Sequence, residues 1–372
     1  MKISPALSSY LDGVRFVAAL AVLFGHLSQD GFAMDWMPLA KFSHSAVIVF
    51  FVLSGFIVYS STVTAGIDGR RYFVARASRI YSVALPSVLF CSALALLVEL
   101  YAPEFGRSIS GYRPISLADI TASLLFLNQS WMMTTDLPFN DPYWSLCYEV
   151  WYYAFFGIFI FLRSRWRFWW LILAFSIAGP AIVVLFPIWC LGAWLASQYS
   201  ILPRLSRRAA WLLYMGSIAA VVAIEVIGLD HEVKSQLQRY VRGFWILGAS
   251  QRVATDYLLG AVIAVHIYAF SSLHAGYQDF IFRMRPILFR LAGFSFTLYL
   301  FHRPFSLVLS KLFSLPNDSA ALAAGWATVI LSTCWLISFG TERQLRWWRS
   351  QIDAALKLPA CRRTQPKVLD GH

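Results

Sequence analysis

An arginine and a histidine separated by ten residues share one apolar run, Arg15 and His26. On a helix, eleven positions make about three turns, so the two side chains lie on one face about 16 Å apart along the axis. Histidine titrates close to working pH and suits a general base, whereas a guanidinium suits an anion. Two more apolar runs carry Glu149, in Trp144-Ser145-Leu146-Cys147-Tyr148-Glu149, and His302, in Leu300-Phe301-His302-Arg303-Pro304. An ionisable group inside a bilayer costs at least roughly 2.5–3.5 kcal/mol on insertion scales, so each one needs a partner, a cavity or a function. By depth, His26, Glu149 and His302 could converge as a base, a carboxylate that orients an imidazole or binds a hydroxyl, and a second base. Competing structural readings are a snorkelling Arg15, a helix-packing His26 and a Glu149–Arg303 ion pair. In the basic stretch Arg70 to Arg79, Arg76 and Arg79 are i,i+3 neighbours that could reach one anion, although any internal loop would also be basic.

The elements that must position these groups follow from composition. Of 372 residues, 59% are hydrophobic and only 13% charged. A soluble domain carries roughly 25% charge, so the chain is expected to be an all-α polytopic membrane protein. On the criterion of about 20 apolar residues per crossing, about ten spans form one bundle. They run roughly 11 to 28, 43 to 65, 80 to 102, 145 to 162, 167 to 186, 187 to 199, 211 to 228, 253 to 272, 290 to 312 and 319 to 340. The fifth and sixth are expected to meet in a tight turn at Phe186-Pro187. Most Lys and Arg then fall on the side of the N-terminus, which predicts that both termini are cytoplasmic. The net charge of +12 thus reads as topology and contact with lipid headgroups, not as a nucleic-acid footprint. Five scattered cysteines indicate neither a disulfide framework nor a metal site. The first span reads as retained, since Arg15 interrupts any signal-peptide core. Between residues 103 and 143 the apolar piece Ile120 to Leu127 is too short to cross and should lie at the interface or re-enter the bundle. The domain reading is a membrane core over 1–345 and a basic cytoplasmic tail over 346–372.

Taken in order, several segments resemble the membrane-bound acyltransferase 3 family. They are Leu11-Asp12-Gly13-Val14-Arg15 with His26, Phe50-Phe51-Val52-Leu53-Ser54-Gly55-Phe56, Arg76 with Arg79, Trp144-Ser145-Leu146 with Glu149, and Gly293-Phe294-Ser295-Phe296-Thr297-Leu298-Tyr299-Leu300-Phe301-His302. The chain departs from the family at Ser82, where proline is usual, and after Glu342, where a proline is missing. The resemblance implies a bacterial inner-membrane enzyme with no permanently bound cofactor. It would take an acyl group, usually acetyl, from cytosolic acyl-CoA and place it on a hydroxyl of a surface or exported carbohydrate, such as exopolysaccharide, lipopolysaccharide or a lipid-linked glycan. On that analogy His26 is catalytic with Glu149 and His302, Arg15, Arg76 and Arg79 hold the donor, and Trp144 and Ser145 face the acceptor. A direct transfer and a covalent acyl-histidine relay both remain open. The competing class is a transporter or flippase for a lipid-linked sugar, although the internal repeats common in transporters are not evident.

Overall fold

The computed structural model describes residues 3–34, 36–109, 112–131, 137–163, 165–313 and 319–356, and all regular elements among them are helical. In chain order they are α1 Pro5–Gln29, α2 Ser43–Tyr59, α3 Gly69–Tyr101, α4 Pro103–Arg107, α5 Leu117–Leu124, α6 Tyr143–Phe161, α7 Arg167–Ala178 and α8 Pro180–Gln198. Then follow α9 Arg207–Ile227, α10 Leu229–Tyr240, α11 Val253–Ser271, α12 Ala275–Arg283, α13 Arg285–Ala292, α14 Ser295–Leu312, α15 Ala320–Ile337 and α16 Leu345–Ala355. Side chains start several of them: Ser4, Asp68, Ser206 and Ser319 each accept from a first-turn N–H of the helix that follows.

Among the described residues, eight helical segments are long and apolar enough to cross a membrane. Two of the ten expected spans fall short of that measure. Helix α7 has only 12 residues, and α14 carries His302, Arg303 and Lys311 along its 18. The expected turn at Phe186-Pro187 is not there. The chain breaks instead at Gly179, whose φ of 86° and ψ of 169° suit glycine, and Pro180 opens α8. Pro187 lies inside α8, where packed neighbours tolerate its missing hydrogen bond.

Helices α2 and α8 cross at almost backbone contact. A Cβ on Gly55 would lie 2.0 Å from the Trp189 carbonyl oxygen, and one on Gly192 would lie 2.0 Å from that of Val52. Small residues allow this approach, and it fixes Ser54 in the bundle interior. Gly55→Ala should therefore force the helices apart and destabilise the bundle by about 1–3 kcal/mol. Gly216→Ala, with open space around it in α9, should be neutral or slightly stabilising. Thermal unfolding of the two variants in detergent checks this.

Of the segment between α3 and α6, the piece Ile120 to Leu127 packs into the bundle. Its carbonyl groups are met by side chains from the neighbouring helices: Tyr81 donates to Leu124 O at 2.9 Å and Tyr143 to Ser123 O at 3.0 Å. Phe126 O accepts from Cys147 Sγ at 2.8 Å and Trp151 Nε1 at 3.0 Å. Irregular backbone survives at membrane depth only when satisfied in this way. Phe126 is buried at φ 55°, a conformation that the two bonds to its carbonyl help hold.

Inside α14, Pro304 cannot donate to the carbonyl four residues earlier, that of Leu300. Asn140 Nδ2 at 2.9 Å and Ser87 Oγ at 3.3 Å serve Leu300 O instead. The proline thereby ties α14, just before His302 and Arg303, to α3 and to the chain entering α6. The described part of the expected tail is helix α16, which docks on α3 through Arg70 and Asp353 at 2.8 Å.

Candidate functional site

Two polar centres lie in series along the bundle. The first opens near the end at which α1 and α14 begin, here called the proximal face. It is a cavity of about 220 Å³ walled by Arg15 of α1, Arg76 and Arg79 of α3, and Arg349 of α16. Among the described residues, Glu149 is the single carboxylate in its wall, and Ser54, Ser145, Tyr153 and Tyr299 add hydroxyls. Because Arg76 and Arg79 stand one turn apart on a helix, both guanidiniums enter the same space, as their spacing predicts. The Arg76 guanidinium lies 5.7 Å from the centroid of the Tyr153 ring. Glu342 accepts from the N–H groups of Phe296 at 3.1 Å and Thr297 at 3.2 Å, satisfying first-turn donors of α14. Its charge also acts on Arg79 and Arg15, which ties α14 to the arginine cluster.

The second centre is a pair of imidazoles nearer the distal face. His26 of α1 and His302 of α14 have ring centroids 5.2 Å apart. Nδ1 of His302 is 2.9 Å from the Leu298 carbonyl, which can only accept. That nitrogen therefore carries the proton, and Nε2 keeps its lone pair. Neither Nε2 of His302 nor Nδ1 of His26 has a protein hydrogen-bond partner, although both are buried. Tyr299 stands between the two centres. Its hydroxyl is 2.6 Å from Ser145 Oγ in the cavity wall, and its ring centroid is 6.3 Å from that of His302.

Of the three residues that depth allowed to converge, His26 and His302 lie side by side, but Glu149 does not join them. Its Oε1 accepts from Ser54 at 2.7 Å and from Tyr153, so it is held as part of the arginine cavity and is not set to orient either imidazole. Nor does it pair with Arg303. That guanidinium bridges Asp30 at 2.5 Å and Asp141 at 3.0 Å. Ser145, expected on the acceptor side, lines the arginine cavity, whereas Trp144 packs edge-on against Phe51 and Tyr148 outside the cavity wall. Sequence reasoning overlooked Tyr153, Tyr299, Arg349, Asp30 and Asp141, and treated Glu342 only as a landmark. A signal existed for two of them, since Tyr153 is i+4 from Glu149 and Tyr299 is three residues before His302.

Fold and site together define a polytopic helical membrane protein that encloses its reactive groups within the bundle. The chain belongs to the acyltransferase 3 family, since residues 8–340 match that family's acyltransferase domain. It is also similar to the acyltransferase MdmB of Streptomyces mycarofaciens, with 31% identity over 187 residues. That alignment covers 47% of this chain and 45% of the relative, so the chain spans less than half of the curated protein it matches. No solved structure matches it.

Proposed function

We propose that this protein moves an acyl group, acetyl in the first instance, from acyl-CoA to a hydroxyl of a surface or exported carbohydrate. In this reading it is a multi-pass protein of a bacterial inner membrane, with the proximal face cytosolic. The observation that carries the reading is the order of the two centres, in which four arginines wall a cavity that reaches Tyr299, beside a histidine pair of which His302 is fully buried. A phosphate-rich nucleotide suits the first centre, while a thin thioester arm could pass Tyr299 toward the second.

The acceptor oxygen attacks the thioester carbonyl, so that a C–O bond forms as the C–S bond breaks. His26 takes the hydroxyl proton, and the proton ends on the departing thiolate to release CoA as the free thiol. Both imidazole nitrogens left without protein partners suit such a transfer. His302 has its tautomer set by the Leu298 carbonyl and supports His26 or takes the proton itself. Arg15, Arg76 and Arg79 bind the donor, and Glu149 keeps Ser54 and Tyr153 in place beside it. No resident cofactor is needed, since the acyl-CoA is consumed.

Deleting the gene in its host and comparing base-labile acetyl groups on purified surface glycans by NMR tests the proposal. Loss of acetyl signals at constant glycan yield, restored by the wild-type gene, is the expected result. Loss of the glycan itself would favour a transporter.

A further inference from the structure

The cluster around Arg303 has a chemistry opposite to that of the arginine cavity. Asp30 has 4% of its side chain exposed and Arg303 has 10%, but Asp141, the other partner of Arg303, is 61% exposed. Asp30 already neutralises the buried guanidinium. The second bridge, to a carboxylate standing largely in solvent, is the weaker one because water competes for it. It stands beside the histidine pair, since His302 directly precedes Arg303 in α14 and the His26 carbonyl lies 3.5 Å from Arg303 Nη1.

On the residues of this region, four buried polar atoms have no hydrogen-bond partner: Nδ1 of His26, Oδ2 of Asp30, Oδ1 of Asn140, next to Asp141 in the chain, and Nε2 of His302. At least three of them can only accept. Oδ2 belongs to a carboxylate, Nε2 of His302 is the unprotonated nitrogen, and the amide of Asn140 is oriented by Nδ2 donating to the Leu300 carbonyl. Buried acceptors left without donors are unfavourable, and a ligand that brings several O–H groups satisfies them. A phosphate or carboxylate would not. The arginine cavity presents donors for an anion, while the distal cluster presents acceptors for a polyol.

We infer that the Asp141–Arg303 bridge is the entrance for a polyhydroxylated acceptor. That acceptor displaces Asp141 from Arg303 and then donates hydroxyl protons to Asp30, Asn140 and His302. This inference rests on the acyl-transfer reading and adds to it a binding site for the second substrate.

The test uses Asp141→Cys in the full chain, expressed in cells lacking the wild-type gene. Intact cells are treated with membrane-impermeant sulfonatoethyl methanethiosulfonate. Modification should lower the acetyl content of the surface glycan at least tenfold, and dithiothreitol should restore it. The purified, modified protein should still bind acetyl-CoA within twofold of the unmodified protein. Treated wild type serves as the control for the native cysteines, of which Cys91, Cys147 and Cys334 are buried and Cys190 is part-buried.

Glycan acetylation that stays within twofold after modification, or a thiol that the reagent fails to reach from outside, overturns the inference. So does a matching loss of acetyl-CoA binding, which would make the bridge a support for the donor cavity. If Asp141→Cys fails to fold, Arg303→Lys takes its place, because lysine keeps a charge for Asp30 but lacks the fork that reaches Asp141. By releasing the bridge that the acceptor must otherwise displace, it should lower the acceptor KM at least threefold and leave the donor KM within twofold, and any other split overturns the inference. A wild-type protein that neither binds acetyl-CoA nor acetylates glycan would sink the acyl-transfer reading instead.

Discussion

His26→Ala should lower acyl transfer by about 10²–10⁴-fold, the usual contribution of a positioned general base. Acetyl-CoA affinity should change little, because His26 is not part of the arginine cavity wall. A kcat that collapses while the donor Kd stays within a few-fold is therefore the expected pattern, measured on protein shown to be folded by size-exclusion chromatography. His302→Ala should also cost activity, since its ring lies 5.2 Å from that of His26. Groups that act as one unit are strongly non-additive, so the double variant should be scarcely slower than the slower single variant. Independent roles would multiply the two losses instead. A His26→Ala protein that retains half of wild-type transfer would remove this residue from the chemistry.

The similar depth of the two histidines could be read from the sequence, although their contact could not. Position along a helix follows from residue spacing at 1.5 Å per residue, and it puts His26 near the distal end of α1 and His302 near the middle of α14. Lateral position is different. Glu149 opens toward Ser54 of α2 and Tyr153 of its own helix because α6 presents that face to α2, and no spacing within α6 reveals which neighbour it will meet. Arg303 shows the same limit. Its partners Asp30 and Asp141 are 273 and 162 residues away in the chain, joined only when α1, α6 and α14 assemble. The misplaced break at Pro187 has another cause. A proline inside a membrane helix can be accommodated by packing, whereas a glycine at positive φ followed by Pro180 ends one helix and starts the next. Arg349 escaped notice because a basic tail is the default topology signal, and its place in the cavity depends on α16 docking against α3.

Arg76→Gln and Arg79→Gln should each raise the KM for acetyl-CoA, but by different routes. A charge-assisted hydrogen bond contributes roughly 1.5–3 kcal/mol, so losing one from a phosphate corresponds to roughly a tenfold to hundredfold weaker donor interaction. Arg76 forms no ion pair within 4 Å among the described residues, and its nearest polar contact is Ser61 Oγ at 3.5 Å. Its substitution should therefore act on the donor alone. The charge of Arg79 also acts on Glu342, which holds the first turn of α14, so its loss leaves that carboxylate with less compensation and should lower kcat as well by shifting Tyr299 and His302. The double variant should exceed either single variant yet fall short of their product, because neighbouring guanidiniums that share one anion are coupled. S-acetylpantetheine separates the two effects. It carries the thioester but none of the nucleotide phosphates, so Arg76→Gln should leave its turnover nearly unchanged while Arg79→Gln still lowers it. Equal sensitivity of both donors to Arg76→Gln would mean that this arginine shapes the thioester path and does not bind phosphate.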